Sequence, residues 1–412
     1  MLHVLRQPKF ALVWVGGLVS DVGDWLLIVG LPIYVLELTG SSLVTATVFI
    51  VELVPSLLLG SFAGVLVDRW DRQRTMVAVN LMQAVLLLPL LLVSSADRLW
   101  LVYLVAGVEA SLALLFNPAK NALLPTLVGA EQLTFANSLI AINDNLARLL
   151  GSPLGGVVID TIRLNGIVVV DAATYMAAAG LVALVRLPAG RRRARPVSSG
   201  STGVLREWRE GLAVVRRSRK LSTLFVIAGL GSLAQGVFVV LFVVFVDRVL
   251  DGSGAEIGLL RGVQAIGGVL GGLAIGAFAG QLRPVSLIGW GANGLALVEL
   301  VIWNAATITT SVGLYVGLFI VVGVPAVAYM TGMVTWAQTH VGDMYLGRIF
   351  AAYTTVSGLL QSIGLAVGGV LGNRLGVVQV LNGQAVLYLL AGALTFALLP
   401  ERRMPAASSP KP

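Results

Sequence analysis

Apolar runs long enough to cross a bilayer follow one another along almost the whole chain, and few architectures can absorb them. A helix needs about 20 such residues to span the hydrocarbon core. Reading for them gives twelve spans, at 10–37, 43–66, 75–95, 99–117, 135–160, 164–187, 221–246, 257–281, 285–304, 312–337, 348–372 and 382–399. Lipid offers the backbone no hydrogen-bond partners, so only helices or closed barrels can cross it. Barrel strands would alternate in polarity over about 10 residues, and these runs do not. Hydrophobic residues make up 57% of the chain and charged residues 12%, at a mean hydropathy of +0.92, whereas soluble domains carry roughly 25% charge. The expectation is an all-α polytopic membrane protein with twelve transmembrane helices, embedded in the lipid bilayer.

The same composition excludes several functions. Cysteine is absent, which removes disulfides, thiolate metal sites and cysteine nucleophiles. The two histidines, His3 and His340, fall at the ends of apolar runs, so no metal site is expected. No H-E-x-x-H, G-x-S-x-G or P-loop pattern occurs, and neither an enzyme nor a cofactor is expected. The net charge of +8 lies between the spans, which fits topology rather than nucleic acid. The first run carries Asp21 and Asp24 and lacks a small-residue cleavage site, so it reads as a span and not a leader. Of the 28 lysines and arginines, 22 fall on the face that holds both termini and 4 on the other, with Arg148 and Arg261 inside spans. Positive charge stays in the cytoplasm. The chain is therefore expected in the plasma (inner) membrane as a multi-pass protein with both termini cytoplasmic.

Internal echoes divide the spans six and six. The stretch from Gly60 to Leu66 reads again at Gly276 to Leu282, 216 positions on, and the stretch from Gly151 to Val157 again at Gly364 to Val370, 213 positions on. An inner duplication predicts spans two and eight, and five and eleven, as equivalent pairs. The expected organisation is a six-helix bundle at 1–187, a cytoplasmic linker at 188–220, a second six-helix bundle at 221–400 and a cytoplasmic tail at 401–412. The linker opens on Arg191, Arg192 and Arg193, and Val204 to Lys220 reads as an amphipathic surface helix. Glycines lie every fourth residue in span eight (Gly268, Gly272, Gly276, Gly280) and in span eleven (Gly364, Gly368, Gly372, Gly376). With Gly151, Gly155 and Gly156 of span five, they are expected to line smooth helix faces on which the halves rock.

Between spans two and three stands Gly64-Val65-Leu66-Val67-Asp68-Arg69-Trp70-Asp71-Arg72-Gln73-Arg74. This resembles the G-x-L-x-D-R-x-G-R-[RK] loop of the major facilitator superfamily, with Asp71 where glycine is commonest and Gln73 where a basic residue is commonest. The resemblance covers nearly the whole chain. The DRxDRxR form, Gly23-Asp24, Asn117-Pro118-Ala119-Lys120, Asp171-Ala172 and Gly347-Arg348-Ile349-Phe350 are similar to the branch of macrolide-efflux proteins and enterobactin-type exporters. Span five resembles the antiporter motif G-P-x-x-G-G, but Ser152 holds the proline's place and Pro153 follows. The resemblance implies two pseudo-symmetric bundles in the major facilitator fold, and a monomer. It also implies a cytoplasmic latch in which Gly64, Asp68, Arg69 and Arg72 meet Arg348 at the start of span eleven.

Ionisable groups in lipid are costly, by about 2.5–3.5 kcal/mol even on lenient scales, and mark functional pathways. The first half holds Asp21, Asp24, Glu52, Glu109, Asp144, Arg148 and Asp171, the second only Arg261 and Glu299. Asp144 and Arg148 are four apart and can pair on one helix. Removal from water disfavours the charged form of a carboxyl, so Asp24, Glu109 and Glu52 are candidates for proton exchange. The imbalance points to proton handling in the first half and mostly apolar binding in the second. Trp25, Tyr34, Phe116, Asn143, Gln235, Phe238, Tyr329, Trp336 and Gln361 are the candidate substrate-cavity residues. The expected function is secondary active export of a small amphiphilic molecule by alternating access, powered by the transmembrane proton gradient. The alternatives are an importer or lipid flippase on the same fold, or a transporter-like receptor.

Overall fold

The computed structural model describes residues 2–67, 70–128, 132–185, 213, 215–278, 281–341 and 343–399. The first half contributes α1 (Pro8–Thr39), α2 (Ser42–Val67), α3 (Arg72–Leu86, continued by a 3-10 segment at Leu88–Leu92) and α4 (Leu99–Val128). A 51-residue helix, Leu133–Ala183, is two spans that meet at Arg163, where φ 63° and ψ −166° interrupt the helical path. Residues 133–162 are α5 and residues 164–183 are α6. The second half contributes α7 (Arg219–Arg248), α8 (Gly254–Ala277), α9 (Pro284–Ala305), α10 (Val312–His340), α11 (Asp343–Leu375) and α12 (Val377–Leu398). Among the described residues, eleven continuous helices are long and apolar enough to cross a membrane, and the corner at Arg163 makes twelve spans of them. Of the linker at 188–220, only 213 and 215–220 lie within the described residues, and the tail at 401–412 lies outside them.

Local sequence sets the helix ends. Asp71 caps α3 by accepting the Arg74 N–H at 2.9 Å. Its neighbour Gln73 is buried and donates to the Val182 and Val185 carbonyls at 2.9 and 2.7 Å, closing the end of α6. Both departures from the family loop therefore have structural work. Gly40, at φ 61°, ends α1 in the left-handed region that a side chain disfavours.

The duplication is visible in which helices touch. In the first half α1 packs on α5 and α6, α2 on α4, and α3 on α4 and α6. In the second half α7 packs on α11 and α12, α8 on α10, and α9 on α10 and α12. Each pairing reappears six helices later. Between the two six-helix bundles, the principal contacts are α5 on α8 and α2 on α11, themselves repeat-related.

Glycines divide these contacts by face, and here expectation needs correcting. Gly364, Gly368 and Gly372 do not line the seam between bundles; they pack on α7 at Leu233, Val237, Val240 and Leu241. Gly151 and Gly155 likewise pack on α1, at Val22, Trp25 and Leu26. A four-residue spacing defines one stripe of a helix, and that stripe faces the bundle's own core. The seam is reached from the next position, about 100° around each helix: Gly156 meets Gly254 and Ala255 of α8, and Gly369 meets Leu43 and Ala46 of α2. On α8 the seam glycines are Gly254, Gly258 and Gly262, which lie against Gly156, Ser152 and Pro153. Among the described residues, Gly272 and Gly276 have nothing within 4 Å of where a Cβ would stand, and Gly347 of α11 is equally open. Leu270 and Leu273 beside them are exposed. Among the described residues, the bundles are thus in contact along α8 at the end of the α1–α2 and α7–α8 loops, and parted along it at the other end.

Candidate functional site

Two polar sites lie within the bundles. The first draws on α1, α3, α4 and α6. Gly23 leaves room for Asp171 and Thr174 to stand against α1, beside Asp24. The Tyr175 hydroxyl is hydrogen-bonded to the Asp24 carboxyl and, at 2.6 Å, to Glu109 Oε1, and it accepts the Gln83 Nε2–H at 3.1 Å. Asp171 is fully buried; Thr174 Oγ1 donates to its Oδ1 at 3.2 Å, and its Oδ2 has no partner. Carboxyl oxygens of Asp24, Glu109 and Asp171 all fall within 4.8 Å of one another. Glu52 of α2 is within electrostatic reach of Glu109.

Proton counting constrains this group. One phenol has one proton to give, and both Asp24 and Glu109 sit at hydrogen-bond distance from it. Two unprotonated carboxylates cannot both be satisfied there; the second contact needs a proton held on a carboxyl. Three carboxyl groups also offer oxygen ligands to a hard cation, but calcium and magnesium take about six or more, and the Tyr175 hydroxyl already stands between two of the three.

The second site is a cavity of about 460 Å³ bounded by α7 to α12 and by Asn145 and Arg148 of α5. Arg148 crosses the seam: its Nε donates to the Arg261 carbonyl at 3.2 Å, its Nη2 donates to Gln264 Oε1, and its guanidinium lies 5.4 Å from the Trp25 ring centre. The Arg261 guanidinium lies over the Phe238 and Phe242 rings, at 5.4 and 6.0 Å. Glu299 is buried, and its Oε2 accepts from Gln384 at 2.8 Å. Asp24 and Trp25 are consecutive in α1, so the carboxyl cluster and the cavity are separated only by that helix and the Arg148 side chain.

The expected site residues separate accordingly. Gln235, Phe238, Tyr329 and Gln361 line the cavity, and Trp25 supports its Arg148. Tyr34 does not; it is buried, with its hydroxyl donating to the Val93 carbonyl at 2.7 Å. Trp336 is buried at the end of α10 and stacks on His340 at 4.2 Å. Asn143 donates to the Trp14 carbonyl at 3.3 Å, and Phe116 packs under Lys120. The Asp144–Arg148 pair is not formed, because Arg148 takes its partners across the seam while Asp144 stays exposed. The second-half cavity is mostly apolar, as expected, but Arg148, Arg261 and Glu299 also stand on its wall. Of the latch, Asp68 and Arg69 lie outside the described residues, and Gly64 lies near the end of α2. Arg72 bonds the Ala122 carbonyl of α4 within its own bundle. Tyr175 and Gln83 were not expected; Tyr175 stands four residues after Asp171, on the same helix face, which is the signal that could have found it.

The Major Facilitator Superfamily model matches residues 13–364. The chain belongs to that superfamily. Macrolide efflux protein A of Streptococcus pyogenes is 26% identical over 377 residues, covering 90% of each chain. The multidrug efflux pump Tap of Mycolicibacterium fortuitum is 26% identical, covering 100% of each. Among solved structures, an inward-facing bacterial homologue of the iron transporter ferroportin has a TM-score of 0.75 at 17% identity, covering 95% of this chain and 98% of that one. This superfamily member is a transporter with a small-molecule substrate, not an enzyme.

Proposed function

We propose that this chain exports small amphiphilic molecules from the cytoplasm, across the plasma membrane, by alternating access in exchange for protons. The observation that carries the reading is the pairing of two sites on either side of α1: a proton-bearing carboxyl–phenol cluster in one bundle and a substrate-sized cavity reaching into the other. The bundles are packed at one end of α8 and parted at the other. The arginine distribution supports placing both termini in the cytoplasm; on that reading the parted end faces inward, as in an inward-open state. The efflux activities named for the curated relatives support the outward direction.

In this cycle Asp24 and Glu109, bridged by Tyr175, exchange the proton, and its loss or gain alters the packing of α1 on α6. Substrate and proton bias the two states only through differential affinity. Inside-out vesicles test the reading. Uptake of an amphiphilic dye that collapses with a protonophore, and is lost in Asp24→Asn and Glu109→Gln, is expected. Uptake indifferent to the protonophore, or seen in right-side-out vesicles instead, refutes it.

A further inference from the structure

The charge of the cavity names a class of substrate. Arg148 comes from one bundle and Arg261 from the other, within electrostatic reach of each other. Among the described residues neither forms an ion pair. Arg148 is held by a carbonyl and an amide oxygen, both neutral, and Arg261 by aromatic faces. Two further donors on the wall have no acceptor: Gln264 Nε2 and the indole Nε1 of Trp303, both buried. Glu299, the single carboxyl among the lining residues, is already bonded to Gln384. Two guanidinium groups against one carboxyl leave the wall positive, and buried donors without acceptors are costly until something supplies them.

We propose that the cavity binds the carboxylate head of an amphiphile, clamped between Arg148 and Arg261, with its apolar body against Phe238, Trp303 and Phe319. A guanidinium fork matches a carboxylate in shape and charge, and such bonds are stronger than neutral ones. The aromatic floor beneath Arg261 keeps the group in place without cancelling its charge. Because the two arginines belong to different bundles, the bound head also relieves their mutual repulsion across the seam. Substrate thereby acts on the element that moves. This inference rests on the export reading and narrows it to anionic amphiphiles.

The test uses 11-(dansylamino)undecanoic acid and its primary amide, which differ only at the head. Dansyl fluorescence is titrated with the full-length protein in detergent at low salt. The acid is expected to bind wild type at least about 10-fold more tightly than the amide, the worth of one charge-assisted contact. R261Q is expected to erase that preference by weakening the acid far more than the amide, and R261K to retain part of it. R148Q serves in its place if R261Q does not purify as a single species. Equal binding of the two probes by wild type, tighter binding of the amide, or no binding of either overturns the proposal, as does a preference that survives both glutamine variants. If the purified protein prefers the acid but vesicles do not transport it, the export reading falls and the anion site stands.

Discussion

Asp160 holds the closed end of the transporter, and its removal should open that end. The residue lies on α5, three positions before the Arg163 corner, and its carboxylate reaches across the seam to the first turn of α8. Oδ1 accepts the Gly254 N–H at 2.9 Å and Oδ2 the Ala255 N–H at 2.8 Å. A helix N-terminus carries unpaired N–H groups and partial positive charge, so a carboxylate from the opposite bundle caps it favourably. Water takes over both groups when the seam parts, so the net contribution resembles that of an ordinary cap, about 1–2 kcal/mol. Asp160→Ala should therefore shift the population toward opening at this end by about 5- to 30-fold. Asp160→Asn keeps one acceptor oxygen and should shift it less. The repeat mate is Asn373, 213 positions on, which accepts a 3.2 Å bond from the Ser42 hydroxyl at the start of α2. That bond is neutral, and Asn373→Ala should have a smaller effect, about 2- to 5-fold. Spin labels on cysteines placed at the exposed Asp97 and Ile308, in a chain with no cysteine of its own, read the distance across this end by double electron–electron resonance. A long-distance population that changes less than about twofold in Asp160→Ala, or an Asn373→Ala effect exceeding it, would show that the clasp does not hold this end.

Other expectations are simpler to state. Gly258→Val drives a side chain into the Ser152 carbonyl across the seam, so it should weaken this closed end by about 1–3 kcal/mol and lengthen the same spin-label distance. Gly272→Leu meets no described residue, so thermal stability in detergent should be unchanged while transport falls, because the bundles can no longer close at that end; unchanged transport would place that glycine off the closing surface. Tyr175→Phe removes the hydroxyl shared by Asp24 and Glu109, and should lower proton-driven efflux about tenfold while substrate exchange without a gradient persists. Arg163→Gly trades an exposed ion pair to Glu37, worth about 0–1 kcal/mol, for relief of a strained backbone worth about 1–3 kcal/mol, so it should raise the melting temperature slightly.

Hydropathy made the spans legible, because lipid leaves the backbone few choices. The 213-residue echo also placed α5 and α11 as equivalents. What it did not reveal was which neighbour each face meets. Gly155 and Gly156 are adjacent in sequence, yet one faces α1 and the other α8, and no pattern within a single helix distinguishes its own core from the seam. Asp144 and Arg148 had the spacing of a pair, but Arg148 is long enough to find its partners on two other helices, α1 and α8. Tyr175 read as one more apolar span residue, and its role exists only because α1, α3 and α4 arrive beside it. Asp24 and Glu109 stood out from sequence because a carboxyl in a lipid-facing run is conspicuous wherever it points.

The single residue joining α5 to α6 leaves the chain no slack there. α5 touches the opposite bundle through Gly156 and Asp160, while α6 carries Asp171 and Tyr175 deep in its own. A tilt of one arm about the Arg163 elbow must therefore be felt in the other, with no loop between them to absorb the strain. Arg163 is a drive shaft between gate and proton store, so a glycine-rich insert spliced in at that elbow should leave both ends intact and uncouple them.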